Sequence, residues 1–291
     1  MIYNGDMPLD GRFQRKRQFA RSAQRPVPTV RRMDFTFDGV PRHWFGGNAF
    51  ATHMSNGLHL LFPDGERFFV RSVRHYLPQL RDPALRASVE AFFGQEGSHA
   101  REHQRTYALL ASHGLDVHRF LRAYRKVAFE LLEPRFPPSV RLAVTAACEH
   151  FTAMFAHSAL TSTDLDPVHP AIRELLLWHA AEEIEHKSVA FDVFEEVDGR
   201  YSVRALGMGM AFVILSALWT AGTVSMLRQD PEVTVARLID DHRKMRADGK
   251  LGSLRMVRML VEYLQPGFHP DALDDYELAR THLRDMGRLD G

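Results

Sequence analysis

A chain of 291 residues that is 45% hydrophobic and 25% charged has the make-up of a globular protein with a sizeable core, which excludes a disordered or fibrous one. Its 37 basic and 36 acidic side chains leave a formal charge of +1, so no overall field recruits nucleic acid, and none is expected as a partner. The single Cys148 excludes an internal disulfide framework and suits a reducing, cytoplasmic compartment.

Residues 1–32 carry eight Lys and Arg between Arg12 and Arg32 and no apolar run long enough for a secretory signal, so they are expected to form a disordered basic arm. The stretch MDFTFDGV that follows suits a short extended segment; from there the pattern is helical nearly throughout. PDGERFFVRSVRHYLPQL, from Pro63 to Leu80, places Phe68, Phe69, Val73 and Leu77 at helical spacing. A second helix is expected from Pro83 to Ser112, stopping before Gly114, and a shorter amphipathic one from Asp116 to Leu132, ended by the prolines of EPRFPP. Two more are expected at 139–160 and 171–197. The division is therefore a helical domain over 33–200 and an apolar helix with amphipathic C-terminal helices over 201–291.

Histidines and acids fall on these helices in a repeated order. In FFGQEGSHAREH, Glu96 and His99 form Glu-x-x-His, and His103 lies one turn further; in WHAAEEIEHKSVAFDVF, Glu183 and His186 repeat the spacing, with His179 one turn before. At about 100° per residue, each set shares one helix face. One such match is expected by chance among 16 His, so position carries the signal: Glu66 lies 30 residues before Glu96, and Glu149 lies 34 before Glu183. Ferritin-like bundles use this order, with one Glu from each of two helices and Glu-x-x-His from each of the other two, all pointing inward onto two metal ions. Four carboxylates and two neutral imidazoles balance two divalent cations, which makes burial of those charges tolerable.

The set expected to hold metal is thus Glu66, Glu96, His99, Glu149, Glu183 and His186. Glu66 also suits the first turn of its helix as a partner of the dipole, whereas Glu149 sits among Ala146, Ala147, Phe151 and Met154, where a solvated carboxylate is unnatural. His103 and His179 are extra ligands, hydrogen-bond partners of ligands or core histidines. Glu182 competes with Glu183 but lacks a His three residues on; Glu185 points away and is expected to be solvated or ion-paired.

Those residues carry a resemblance. The chain is similar to the bacterial family of predicted metal-dependent hydrolases, placed among ferritin-like proteins, through VRRMDF at 30–35, FPDGERFF at 62–69, FFGQEGSHAREH at 92–103, CEHFTA at 148–153, WHAAEEIEHKSVAFDVF at 178–194 and YLQPGFHP at 263–270. The similarity covers about residues 28–275; Tyr107 departs from a pattern that favours Asn there, outside the metal set. It implies an all-α fold, a ferritin-like four-helix bundle with additional C-terminal helices around a metal centre.

From Ala205 to Leu227 runs a charge-free stretch of 23 residues, long enough for a transmembrane helix, though its Gly, Ser and Thr make insertion marginal. A spanning helix, a fifth helix packed on the bundle, a homodimer interface and the wall of an apolar pocket are all open. The amphipathic stretch at 251–264 suits a membrane surface or packing on the bundle, and His269 suits a structural role. The combination points first to a di-iron oxidase or oxygenase acting on an apolar small molecule, attached to the cytoplasmic face of the inner membrane if residues 205–227 insert. The alternatives are hydrolysis by a hydroxide held between two metals (Mn or Zn as well as Fe) and storage or detoxification of metal.

Overall fold

The computed structural model describes residues 25–247 and 260–289, and every regular element among them is helical. MDFTFDGV forms no strand; the one β-bridge pairs Phe45 with Val168 and is isolated. We number the α-helices α1 (Ala49–His59), α2 (Phe62–Arg74), α3 (Pro83–Ser112), α4 (His118–Arg125), α5 (Pro138–Thr161), α6 (Pro170–His186), α7 (Val189–Val197), α8 (Tyr201–Leu227), α9 (Val235–Ala247) and α10 (Tyr276–Asp285).

Local chemistry sets the ends of α3. The Asp82 side chain accepts from the Ala84 N–H at 2.9 Å, Pro83 occupies the first turn, and Gly114 leaves the helix at φ 77°. Four elements differ from expectation. The helix expected from Pro63 to Leu80 stops at Arg74, and only a 3-10 turn at Leu77–Gln79 follows it. α1 has no clear apolar period, because the side chains it buries include Thr52, His53, Asn56 and His59; Asn48 starts it by accepting from the Ala51 N–H at 2.8 Å. The stretch 116–132 is α-helical only to Arg125 and continues as a π-helix over Lys126–Leu132. The single helix expected over 171–197 is split after His186, where Lys187 turns to the Leu273 carbonyl and to Asp275, and Ser188 turns to Asp271. Residues pulled outward at 187–188 cannot hold their places in the helical ladder.

Helices α2 and α3 pack together, as do α5 and α6, and the two pairs meet through α2 with α5 and α3 with α6. One core layer, with Val89, Phe92, Leu142, Ala146 and Phe191, lies at one end of these helices; another, with Leu175, Trp178, Ile184 and Leu283, lies beside α6 and α10. Helix α8 lies against α5 and α1. A Cβ on Gly207 would stand 2.6 Å from the Ala143 backbone, and one on Gly57 would stand 2.6 Å from the Thr223 backbone, so small residues permit this close approach. By length and composition α8 could cross a membrane, yet one side of it is already covered by protein.

Of the expected basic arm, residues 1–24 lie outside the described residues. Residues 25–32 form no regular element and lie against the helices: Arg25 pairs with Asp192 and, at 3.2 Å, with Asp271, and Arg31 is buried. Residues 251–259 of the expected amphipathic stretch also lie outside the described residues. His269 meets Asp192 at 2.9 Å, a structural contact.

Candidate metal centre

Each side chain of the expected set reaches the same space between the two helix pairs. Glu66 comes from α2, Glu96 and His99 from α3, Glu149 from α5, and Glu183 and His186 from α6; all six are buried, none more than 4% exposed. Spacing of three residues puts each carboxylate and its imidazole one turn apart on the inward face. His186 Nε2 stands 3.1 Å from Glu96, 3.4 Å from Glu149 and 3.6 Å from Glu183, whereas His99 Nδ1 stands 3.5 Å from Glu183 and 3.9 Å from Glu96. Glu96 and Glu183 therefore lie between the two imidazoles. Glu149 belongs to the His186 side; Glu66 groups with His99 and His179.

A dense set of unsatisfied atoms shows what the space accommodates. Both oxygens of Glu66, Glu96 and Glu149, Oε2 of Glu183, Nδ1 of His99 and Nε2 of His186 are buried without a hydrogen-bond partner. Isolated polar atoms of this kind cost about 1–3 kcal/mol each, and a charged one costs more. They are also the atoms that ligate metal, and buried His and Glu groups here have their ligating atoms within 4.8 Å of one another. The donor set fits metal ions.

The protonation pattern fits as well. Burial and the neighbouring charge of Glu96 push Glu66 well above the usual carboxylate range and Glu149 up to about 8; burial also raises Glu96. Burial alone would lower His99, but its hydrogen bond to Glu182 lifts it to about 10; the same opposition, won by the charge of Glu183, raises His186 well above its ordinary value. Glu183 is held well below the carboxylate range, despite burial, by His186 and by a hydrogen bond from His179. Protons thus supply the positive charge the carboxylates require. Metal must displace them, so affinity should rise with pH and weaken as pH falls through about 8, where Glu149 keeps its proton. Calorimetry of Zn2+ or Mn2+ binding in buffers of different ionisation enthalpy should show net proton release at neutral pH; binding with no proton release would contradict this.

The outer face of each imidazole is fixed by a network the sequence showed only in part. His99 Nε2 meets Glu182 at 3.0 Å, and Glu182 also accepts from Trp178 at 2.9 Å and Arg31 at 3.1 Å. His186 Nδ1 meets the Gln95 side-chain oxygen at 2.8 Å, and the Gln95 amide donates to Glu185 at 2.7 Å and to the Thr29 carbonyl at 3.0 Å. Arg31 forks onto Glu185 at 2.7 and 2.9 Å and donates to the Arg288 carbonyl at 2.6 Å. These bonds leave Nδ1 of His99 and Nε2 of His186 facing the centre. Glu182 thus meets the outer nitrogen of His99, and Glu185 is ion-paired with Arg31. Neither Arg31 nor Gln95 was among the expected site residues; Gln95 directly precedes Glu96, and Arg31 stands inside VRRMDF.

His179 and His103 occupy a third position. His179 Nε2 lies 2.7 Å from Glu183 and 3.8 Å from Glu66, its Nδ1 meets His103 Nε2 at 2.6 Å, and His103 Nδ1 meets His59 Nδ1 at 3.0 Å. His103 therefore touches histidines and none of the four carboxylates, whereas His179 stands at the edge of the centre. Burial lowers His179 to about 4 and His59 to about 3, so both imidazoles are neutral. A separate group of His43, His53 and Asp230 also has metal-like spacing. There Arg237 donates to His43 Nδ1 at 3.0 Å, leaving Nε2–H to donate to Asp230 at 2.6 Å, and Arg42 adds positive charge 3.7 Å from that carboxylate. That group is a satisfied ion-pair cluster.

Two cavities reach the centre. One ends at Glu66 and is walled by Leu58, Phe62, Phe69, Phe129, Val144 and Leu215, among other mostly apolar side chains from α2, the π-helix, α5 and α8. The second touches Glu183, His179 and His59 and runs past Phe155, Leu176 and Trp219.

A family model described as "Predicted metal-dependent hydrolase" matches residues 29–274, a span that contains Arg31, Gln95 and all six converging residues. No curated protein and no solved structure matches the chain.

Proposed function

We propose a function from one premise: the chain belongs to the family of predicted metal-dependent hydrolases. Its reaction is the hydrolysis of an apolar small molecule at a pair of metal ions held by Glu66, Glu96, His99, Glu149, Glu183 and His186. The observation that carries this is the convergence of unpartnered buried oxygens and imidazole nitrogens from four helices. When bound, the metals would supply Lewis-acid polarisation of the scissile group and water activated at neutral pH.

The protein's own contribution is positional. Glu96 and Glu183 reach both sides of the centre, and Glu66 and Glu149 close its two ends. His179, held by Glu183 and His103, is the nearest neutral imidazole to the reacting space and can carry a proton to or from a group in the second cavity. The first cavity presents a mostly apolar wall up to Glu66. We assign the apolar part of the substrate to it.

One observation favours a second reading, oxidation of the substrate by oxygen at two irons. The wall next to Glu66 offers few polar groups to grip an ester or amide, and four hard carboxylates suit iron as well as Mn or Zn. Nothing in the geometry favours storage of metal. The readings separate in one experiment on protein loaded in turn with Zn2+, Mn2+ and Fe2+ without oxygen. Hydrolysis predicts acid release from apolar esters with Zn2+ or Mn2+, lost in Glu149→Ala. Oxygen uptake by the iron form alone, with no ester cleaved by any form, would overturn hydrolysis in favour of oxidation.

A further inference from the structure

Helix α8 is covered on one side only. Leu206, Gly209, Phe212, Val213, Ala217 and Thr220 are exposed on its other side, and no charge occurs from 205 to 227. Helix α4 lies beside it, packing Phe120 and Tyr124 into the layer that holds Leu215, Leu218 and Trp219. The outer row that runs from α4 into the π-helix is basic: Arg119 and Arg122 of α4 and Lys126, the first residue of the π-helix, are exposed at helical spacing, and among the described residues none of them meets a carboxylate. The π-helix extends that row with exposed Val127 and Leu131. Between the two elements, half-buried Phe129 and Leu132 face half-buried Met210 and Ile214 across the apolar cavity that ends at Glu66.

We propose that this surface docks on an anionic bilayer, with α8 lying along the interface, and that the cavity admits an acyl chain from it. A helix with one apolar outer face beside a row of unpaired cations matches the chemistry of a lipid surface, where acyl chains meet anionic head groups. A helix spanning the bilayer would have to leave α1 and α5, which cover its inner side down to backbone contact. A second copy of the chain seated on the same face would lie over the cavity wall that Phe129 and Met210 help to form. The bilayer instead supplies what the cavity is shaped to take. The acyl-chain clause rests on the catalytic reading of the metal centre; the docking does not.

Vesicle flotation of the full, metal-loaded protein tests this, with phosphatidylcholine vesicles lacking or containing phosphatidylglycerol. The protein should float with the anionic vesicles and be released by molar salt. Val213→Glu should abolish flotation. The triple change Arg119→Glu, Arg122→Glu and Lys126→Glu should weaken it by about a hundredfold or more. Both variants should keep wild-type metal content and helicity, which separates lost docking from misfolding. Three results would overturn the proposal: no flotation with either vesicle; a carbonate-resistant membrane pellet, which means a spanning helix; or a dimer that Val213→Glu splits while flotation is unchanged, which makes a second copy the occupant. Loss of flotation with cleavage of a soluble ester intact counts against docking alone. Flotation without turnover of any ester counts against the hydrolase reading alone.

Discussion

Glu96→Ala should empty the whole metal centre, whereas Glu66→Ala or Glu149→Ala should each empty half of it. The difference follows from position. Glu96 lies 3.1 Å from His186 and 3.9 Å from His99, so its loss strips a ligand from both sides at once. Glu149 lies near His186, and Glu66 groups with His99 and His179. Elemental analysis of each variant after anaerobic loading measures the effect, and His186→Ala should behave as Glu149→Ala does. Stripped of metal, the three carboxylate variants should also be more stable than metal-free wild type. Replacing an unpartnered buried carboxylate with Gln or Ala removes a desolvated acid, worth about 1–3 kcal/mol. A purely structural role for Glu96 predicts the opposite, a fall in Tm, so thermal melts in chelator discriminate the two.

The second large effect is expected at Arg31, which touches no metal position. Arg31→Met leaves Glu182 and Glu185 without their shared cation in a buried setting, and breaking a buried pair on one side costs about 3–5 kcal/mol. It also frees the carboxylates that orient His99 directly and His186 through Gln95. Loosening such partners lowers metal affinity about 10–100-fold per ligand. Both readouts should move together: a lower Tm in chelator and a weaker dissociation constant for Zn2+. Glu185→Ala alone should retain metal, because Arg31 still holds Glu182 and Gln95 still holds His186. Wild-type affinity in Arg31→Met would show that the network is structural and does not tune the ligands.

What the sequence showed and what it hid follow from how each signal is carried. Local chemistry marks the ends of α3, through Asp82, Pro83 and Gly114, so its bounds were legible. The six converging residues were legible because the order Glu, then Glu-x-x-His, occurs twice. Helix α1 was not, since a helix that buries Thr52, His53 and Asn56 leaves no apolar period. The break after His186 depends on Asp271 and Asp275, more than eighty residues away along the chain, and no local pattern encodes it. Arg31 was hidden for the opposite reason: it stands near the end of a stretch with eight Lys and Arg, so it read as part of a disordered basic arm. A buried cation is recognised by the carboxylates it meets, and Glu182 and Glu185 come from a helix far along the chain.

The central claim is that four helices build one site for two metal ions. The most direct test is metal stoichiometry of the full chain, purified without metal, loaded anaerobically with Fe2+, Mn2+ or Zn2+, desalted, and analysed for metal and protein on the same sample. The account predicts two ions per chain, falling to none in Glu96→Ala and to one in Glu149→Ala. Fewer than one ion per chain with every metal would contradict it.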